Sequence, residues 1–277
     1  EADALNLAPT VSSTLTLVLG DAFACALSEA RCRCVRHLHN LRSGPFARKK
    51  AVDDLPYEWF SHRSLIRRKL GNVDPVLQDN KAENLALSAP QVDGVLIAQG
   101  ETFSFWALVG PCTARRGYRD GLTICGGQVS SGVGGGMCQF SNLLHWLVLH
   151  SPLDIVEHHH HNGVDLFPDS GRQVPFGTGT AIMYNYLDYR FRNPTDMVFQ
   201  LRVHTDGEYL CGRLLASAPP DQVYRVFAED EHYAEEPDGI YRCSTVVRTV
   251  ETLDGRETSR EVLLRNHARI LYDRAFV

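Results

Sequence analysis

The sequence predicts an α+β fold: a helical N-terminal part, a glycine-rich central site loop leading into a buried helix, and an antiparallel β-rich C-terminal part. Three observations predict it. Apolar residues recur at helical spacing in the first third, as at Leu77, Leu85 and Ala89. Eight glycines crowd residues 117–136, just ahead of a strongly apolar run over 138–150. From about residue 181 onward, short segments alternate apolar and polar residues, which is the period of a half-buried strand. Helices first and strands last is the order of an α+β chain rather than of repeated βαβ units.

The elements follow in order. Residues 1–30 lean apolar without a clean pattern and read as a poorly ordered extension, with the main domain over 31–277. Residues 30–50 read as basic helix broken at Gly44-Pro45. Residues 65–70 and 77–89 carry helical spacing, and Pro75 suits a helix start. Val95-Leu96-Ile97 is strand-like, Gln99-Gly100-Glu101 a turn, and Phe103 to Trp106 a second apolar run. The glycine-dense segment reads as loop, because many glycines serve a backbone that turns tightly or approaches a ligand. The helix that starts near Cys138 stops at Ser151-Pro152. Ile155-Val156 is a short strand, and 168–179 a turn-rich loop. Residues 181–192, 199–204, 209–215, 223–228, 241–249 and 261–264 complete an antiparallel meander.

The 277 residues are 44% hydrophobic and 22% charged, ordinary for a globular chain. A net charge of −5 gives no global field toward nucleic acid, so no nucleic-acid partner is expected. The basic knots Arg48-Lys49-Lys50 and Arg67-Arg68-Lys69 read as solvated helix faces. No run approaches the roughly 20 apolar residues of a membrane span, so no integral membrane segment is expected. Residues 15–26 are apolar but contain Asp21 and follow no Lys or Arg, a poor match to a secretion signal. The visible sequence thus gives a cytoplasmic expectation. The eight cysteines are scattered and read mostly as reduced thiols.

The chemistry centres on Gly134-Gly135-Gly136-Met137-Cys138-Gln139. Three glycines leave bare backbone whose amides can face a substrate. A helix starting at Cys138 puts free N–H groups and a positive dipole end at the sulfur, which lowers a thiol pKa and favours the nucleophilic thiolate. The same amides suit an acyl-transfer oxyanion. An ordinary buried cysteine after a glycine turn fits the pattern equally well. A cysteine nucleophile needs a base, and His158-His159-His160-His161 can supply one. In an extended segment at most two of the four face one site. Zinc competes, but no second Cys or carboxylate stands at a ligand spacing, so neither a metal site nor a cofactor is expected. Asp165 or Asp169 could orient a histidine, and Arg172 could bind a substrate carboxylate through two hydrogen bonds. Asp169 fits a turn better. Asp188 and Asn193 read as structural caps, and Glu101 and Ser104 as weak candidates to line the site.

These residues fall in an ordered set of motifs. They include Leu77-Gln78-Asp79-Asn80-Lys81 with Asn84-Leu85, Gly100 to Trp106, Gly117-Tyr118, Gly134 to Gln139 with Ser141-Asn142-Leu143, Leu149 to Leu153, Phe167-Pro168-Asp169, Pro175-Phe176-Gly177, Tyr184-Asn185-Tyr186 and Asp188 to Asn193. Over about residues 31–272 the chain resembles the VanW family. The resemblance implies an association with bacterial peptidoglycan. It also implies cysteine-dependent L,D-transpeptidation of stem peptides, with Cys138 as nucleophile. The residues read above as candidates to meet the substrate are Gly134, Gly135, Gly136, Gln139, Arg172 and Asp165. The family histidine aligns with His161. His158 stands where the family often has Arg, so His160 is an alternative base. Such a reaction occurs outside the membrane. The other implied role is a non-catalytic accessory protein that binds cell-wall peptides or precursors in glycopeptide resistance.

Overall fold

A computed structural model describes residues 11–68, 74–125, 128–160, 163–168 and 173–273. The chain divides into two compact units, Glu1–Gly44 and Pro45–Val277. The first contains α1 (Val11–Arg42), so the segment read as irregular is helical from Val11. Leu15, Leu19, Phe23 and Leu27 are all more than half exposed. These four stand four residues apart, so a helical spacing was present in the sequence there. The basic helix expected over 30–50 ends at Arg42, ahead of Gly44 at φ +75°.

The second unit opens with β1 (Tyr57–Leu65), α2 (Pro75–Val92), β2 (Leu96–Ile97), β3 (Thr102–Ser104) and α3 (Phe105–Val109). A 3-10 turn, Ala114–Arg116, leads to β4 (Asp120–Cys125), β5 (Gln128–Val133) and α4 (Met137–Leu149). Then come β6 (Asp154–Glu157), β7 (Val164–Asp165), β8 (Arg190–Arg192), β9 (Phe199–Thr205), β10 (Tyr209–Ala216), β11 (Gln222–Glu236), β12 (Gly239–Thr252) and β13 (Glu257–Ile270). This is the expected α+β order. Among the described residues, no helix is long and apolar enough to cross a membrane.

Three local readings differ. Leu65 ends a strand instead of opening a helix: Ile66 turns into the core, 1% exposed, while its neighbours face outward. The glycine-dense segment is largely a hairpin, with Asp120 paired to Val133 and Cys125 to Gln128. Glycine weakens the strand signal without preventing pairing. Only Arg190–Arg192 of the strand read over 181–192 is extended, because Met183 and Leu187 close a turn with Asn185 at φ +67°.

The C-terminal strands are antiparallel but serve separate sheets. One is ordered β1-β10-β9-β2, another β11-β12-β13-β7, with β7 parallel to β13, and a third β3-β8-β6. Helices α2 and α4 pack on the first sheet. Phe105, Phe140, Leu144, Leu147, Phe199 and Leu214 are fully buried there. Each such side chain contributes roughly 1.5–3 kcal/mol by leaving water. Ten of the thirteen α4 residues are buried, so the core fixes where this helix begins.

Candidate functional site

Cys138 lies in the first turn of α4 and is half-buried. Burial pushes its thiol up, against hydrogen bonds from the backbone N–H groups of Ile182 and of Cys138 itself, which pull it down. The helix start therefore does not yield a resting thiolate, because desolvation outweighs the aligned amides. Among the described residues, no histidine is hydrogen-bonded to the sulfur.

The segment that supplies Ile182 is docked on α4. Asn142 Oδ1 accepts from Thr180 N at 2.6 Å and from Thr180 Oγ1 at 3.0 Å. Ser141 and Thr180 join their hydroxyls, and Ser141 Oγ also donates to the Cys138 carbonyl at 3.1 Å. Two grooves meet at this junction. One, of about 380 Å³, is lined by Arg63, Arg68, Asn142, Trp146 and Gly179. The other, of about 310 Å³, is lined by Arg68, Asn142, His160, Asp165 and Gly179.

The glycines serve packing. A Cβ on Gly134 would meet Cys112 Cβ at 2.3 Å, one on Gly135 would meet Gly121 C at 2.2 Å, and one on Gly136 would meet Lys81 Cγ at 2.3 Å. Gly134 N donates to Arg119 O at 2.9 Å and Gly135 N to Gly132 O at 3.0 Å. Those two amides are spent inside the fold and do not face a groove. Gln139 is also spent, its Nε2 donating to Ser64 Oγ at 2.9 Å and to Leu65 O at 2.8 Å.

The histidine run alternates. His159 Nε2 lies 3.1 Å from Glu157 Oε1. His158 and His160 face each other with ring centres 4.2 Å apart, and His158 stacks on His145 of α4 at 4.1 Å. His145 Nδ1 pairs with Tyr189 Oη at 3.1 Å. Burial pushes His158 down to about 4. It also lowers His160, against the Gly177 and Gly179 carbonyls, and His145 most of all. This cluster is neutral at pH 7. The next residue, His161, lies outside the described residues, as do Asp169 and Arg172.

Asp165 lies in the wall of the second groove. It is 2% exposed and holds the β7–β13 junction, accepting from Tyr272 Oη at 3.0 Å and facing Arg242 Nη1 at 3.5 Å. Asp188 is a buried hub: it accepts from Ser104 Oγ at 2.6 Å, Trp106 N at 3.1 Å and Arg190 Nε at 2.6 Å. Ser104 caps α3 and does not line a groove. Among the described residues, no group of three or more His, Cys, Asp or Glu side chains could hold a metal ion.

Two residues on α2 escaped the sequence reading. Gln78 and Lys81 are each 6% exposed, on the inward face that continues through Leu85, Ser88 and Val92. The signal was there: stepping back from Val92 and Leu85 at helical spacing lands on Lys81 and Gln78, polar residues on an apolar stripe.

The sequence profile described as "VanW like protein" matches residues 80–215. That span includes Lys81, the glycine turn, Cys138 and the histidine run. The chain is 36% identical over 219 residues to the Vancomycin B-type resistance protein VanW of Enterococcus faecalis, covering 79% of this chain and 79% of that protein. It is 33% identical over 128 residues to the uncharacterized protein YoaR of Bacillus subtilis, covering 46% of this chain and 40% of that protein. No solved structure matches. With more than two thirds of both chains aligned at this identity, the chain belongs to the VanW family.

Proposed function

We propose that this protein acts on the peptide stems of bacterial peptidoglycan, outside the cytoplasm, as a Cys138-dependent acyl transferase of the L,D-transpeptidase class. One observation supports this reading above the others: the Cys138 sulfur lies in the first turn of a buried helix, where its own backbone N–H and that of Ile182, on the segment docked against α4, both act to lower the thiol. Donors in that position favour a thiolate and can receive an acyl oxyanion. Burial keeps the resting thiol protonated, so the nucleophile forms only when a base takes its proton.

In the proposed reaction the Cys138 sulfur bonds to the carbonyl carbon of the residue with the L-centre. The C–N bond to the terminal D-residue breaks. The departing amine takes up the thiol proton, by way of the base position that the family resemblance gives to His161. An amine of a second stem, or water, then attacks the thioester and releases the thiol. The two grooves beside Asn142 and Gly179 suit the two peptides.

The raised thiol and the lack of a described histidine at the sulfur favour a second reading, an accessory protein that binds cell-wall peptides without chemistry. This fits the resistance role in the name of the Enterococcus faecalis relative. Intact-mass measurement and exchange assays with a stem tetrapeptide separate the two. The expected result is an acyl adduct on Cys138 and a loss of exchange of roughly 10³-fold or more in Cys138→Ala. Undiminished exchange in that variant would sink the nucleophile, and peptide binding with neither adduct nor exchange would select the accessory role.

A further inference from the structure

Lys81 is a buried cation with no anion. It is 6% exposed, and its stem crosses Gly136, the residue before α4, closely enough that a Cβ there would lie 2.3 Å from Lys81 Cγ. Among the described residues, no carboxylate or hydrogen-bond acceptor meets its ammonium. The charges that act on it are those of Arg68 and Arg67, both positive. The acids nearest in sequence are engaged elsewhere: Asp79 holds Arg67 at 2.7 Å, and Glu83 holds Arg119 at 2.7 Å.

A second unpartnered donor lies one turn away on the same face. Gln78 accepts from Arg68 N at 3.3 Å through Oε1, which leaves its Nε2 buried with no partner. A buried amide donor without an acceptor costs about 1–3 kcal/mol. Among the described residues, Lys81 and Gln78, three positions apart on the inward face of α2, thus leave an ammonium and an amide donor unanswered. The start of α4 adds to them. Asp74 caps α2 and Ser104 caps α3 with a side-chain oxygen, but Gly136 gives α4 no side-chain cap. The positive end of a thirteen-residue helix thus lies against the lysine stem without a side-chain cap.

We propose that the junction of α2 and α4 is an anion site in which Lys81 and Gln78 bind the terminal carboxylate of a peptide against the start of α4. One uncompensated ammonium calls for one negative charge, and a carboxylate supplies it with two acceptor oxygens. The proposal deepens the reading of Cys138 as nucleophile and rests on it for the identity of the peptide. Gly136 is two residues from Cys138. In a stem ending in a single D-residue, the free carboxylate is one residue from the attacked carbonyl, a step of about 3.8 Å between Cα atoms. The site would therefore select stems whose last residue is the leaving group, over stems carrying one residue more.

Binding measured in Cys138→Ala, which needs no chemistry, tests this apart from turnover. The probes are an acyl-L-lysyl-D-alanine peptide, its C-terminal amide and inorganic phosphate. The carboxylate peptide should bind at least tenfold tighter than the amide. That preference should disappear in Cys138→Ala carrying Lys81→Met, a change that keeps the stem, and should shrink with Gln78→Leu. Equal binding of acid and amide in Cys138→Ala overturns the proposal whether or not the Lys81 variant folds. So does binding of phosphate with no preference between the peptides. Preferential binding of the acid without turnover by the unmodified chain retains the anion site while rejecting the transferase reading.

Discussion

Two groups of nitrogen bases flank α4, and burial treats them differently. The first comprises His145, His158 and His160, whose rings pack on one another and on Tyr189. An imidazole pushed down to about 4 is simply neutral at pH 7 and behaves as an aromatic filler. The second is Lys81, beside Arg67 and Arg68. Burial and the two arginines push its ammonium down to about 7, so at neutral pH it is still half charged. The histidine flank packs in the neutral form at pH 7. The lysine flank keeps a charge that no anion among the described residues answers. Chemistry is to be sought where desolvation has gone only half way.

Four measurements sharpen or break this contrast. The largest effect is expected at Lys81. A base whose folded pKa is depressed binds fewer protons folded than unfolded, so stability rises with pH between about 7 and the ordinary 10.5. At about 1.4 kcal/mol per pH unit, the penalty below pH 7 is several kcal/mol. Lys81→Met should flatten that slope and raise the urea midpoint at pH 7. A variant as steep as the parent over that window would show that Lys81 is not the group responsible.

Next comes Gly136→Ala. Its Cβ would press on the Lys81 stem at a φ of +103°, which together cost about 3 kcal/mol. Pairing it with Lys81→Ala should recover about 1 kcal/mol if the two touch as described, and strict additivity of the two melting shifts would argue against that contact.

The histidine flank predicts an acid-side loss. A histidine held near 4 contributes stability that fades as pH falls from 6.5 toward 4. Allowing for its remaining solvent contact, His158→Phe should reduce the difference between pH 7 and pH 4.5 stabilities by roughly 2 kcal/mol. An unchanged difference would mean that His158 is charged in the fold. The smallest effect is expected at Gln139. Losing its bonds to Ser64 and Leu65 should cost about 1 kcal/mol in Gln139→Ala. Peptide affinity should stay unchanged, and a large affinity loss would return Gln139 to the substrate.

How much was legible followed from where the information lies. The apolar run of α4 and the alternation of β9 announce themselves, because a buried helix is apolar along its length and a strand alternates between its two faces. The hairpin β4–β5 was hidden by its glycines. Cys138 stood out through its glycine neighbours. Their actual use, close packing against Cys112, Gly121 and Lys81, depends on partners far along the chain. Asp165 likewise meets Arg242 and Tyr272, more than seventy residues away. The motif marked the place, and tertiary neighbours assigned the roles.

Asn84 has a consequence for how the place comes into being. Its side-chain amide donates to Arg119 O and Gly135 O, both at 2.9 Å, and accepts from Arg119 N at 2.8 Å. A single planar group thereby fastens the middle of α2 to both ends of the hairpin, across 35 and 51 residues of chain. Contacts so distant in sequence form late, after the costly closure of long loops. The glycine turn should acquire its shape only when α2 arrives, and a synthetic peptide spanning 128–150 should be inert toward any stem. The surroundings of Cys138 are made by assembly, one amide at a time.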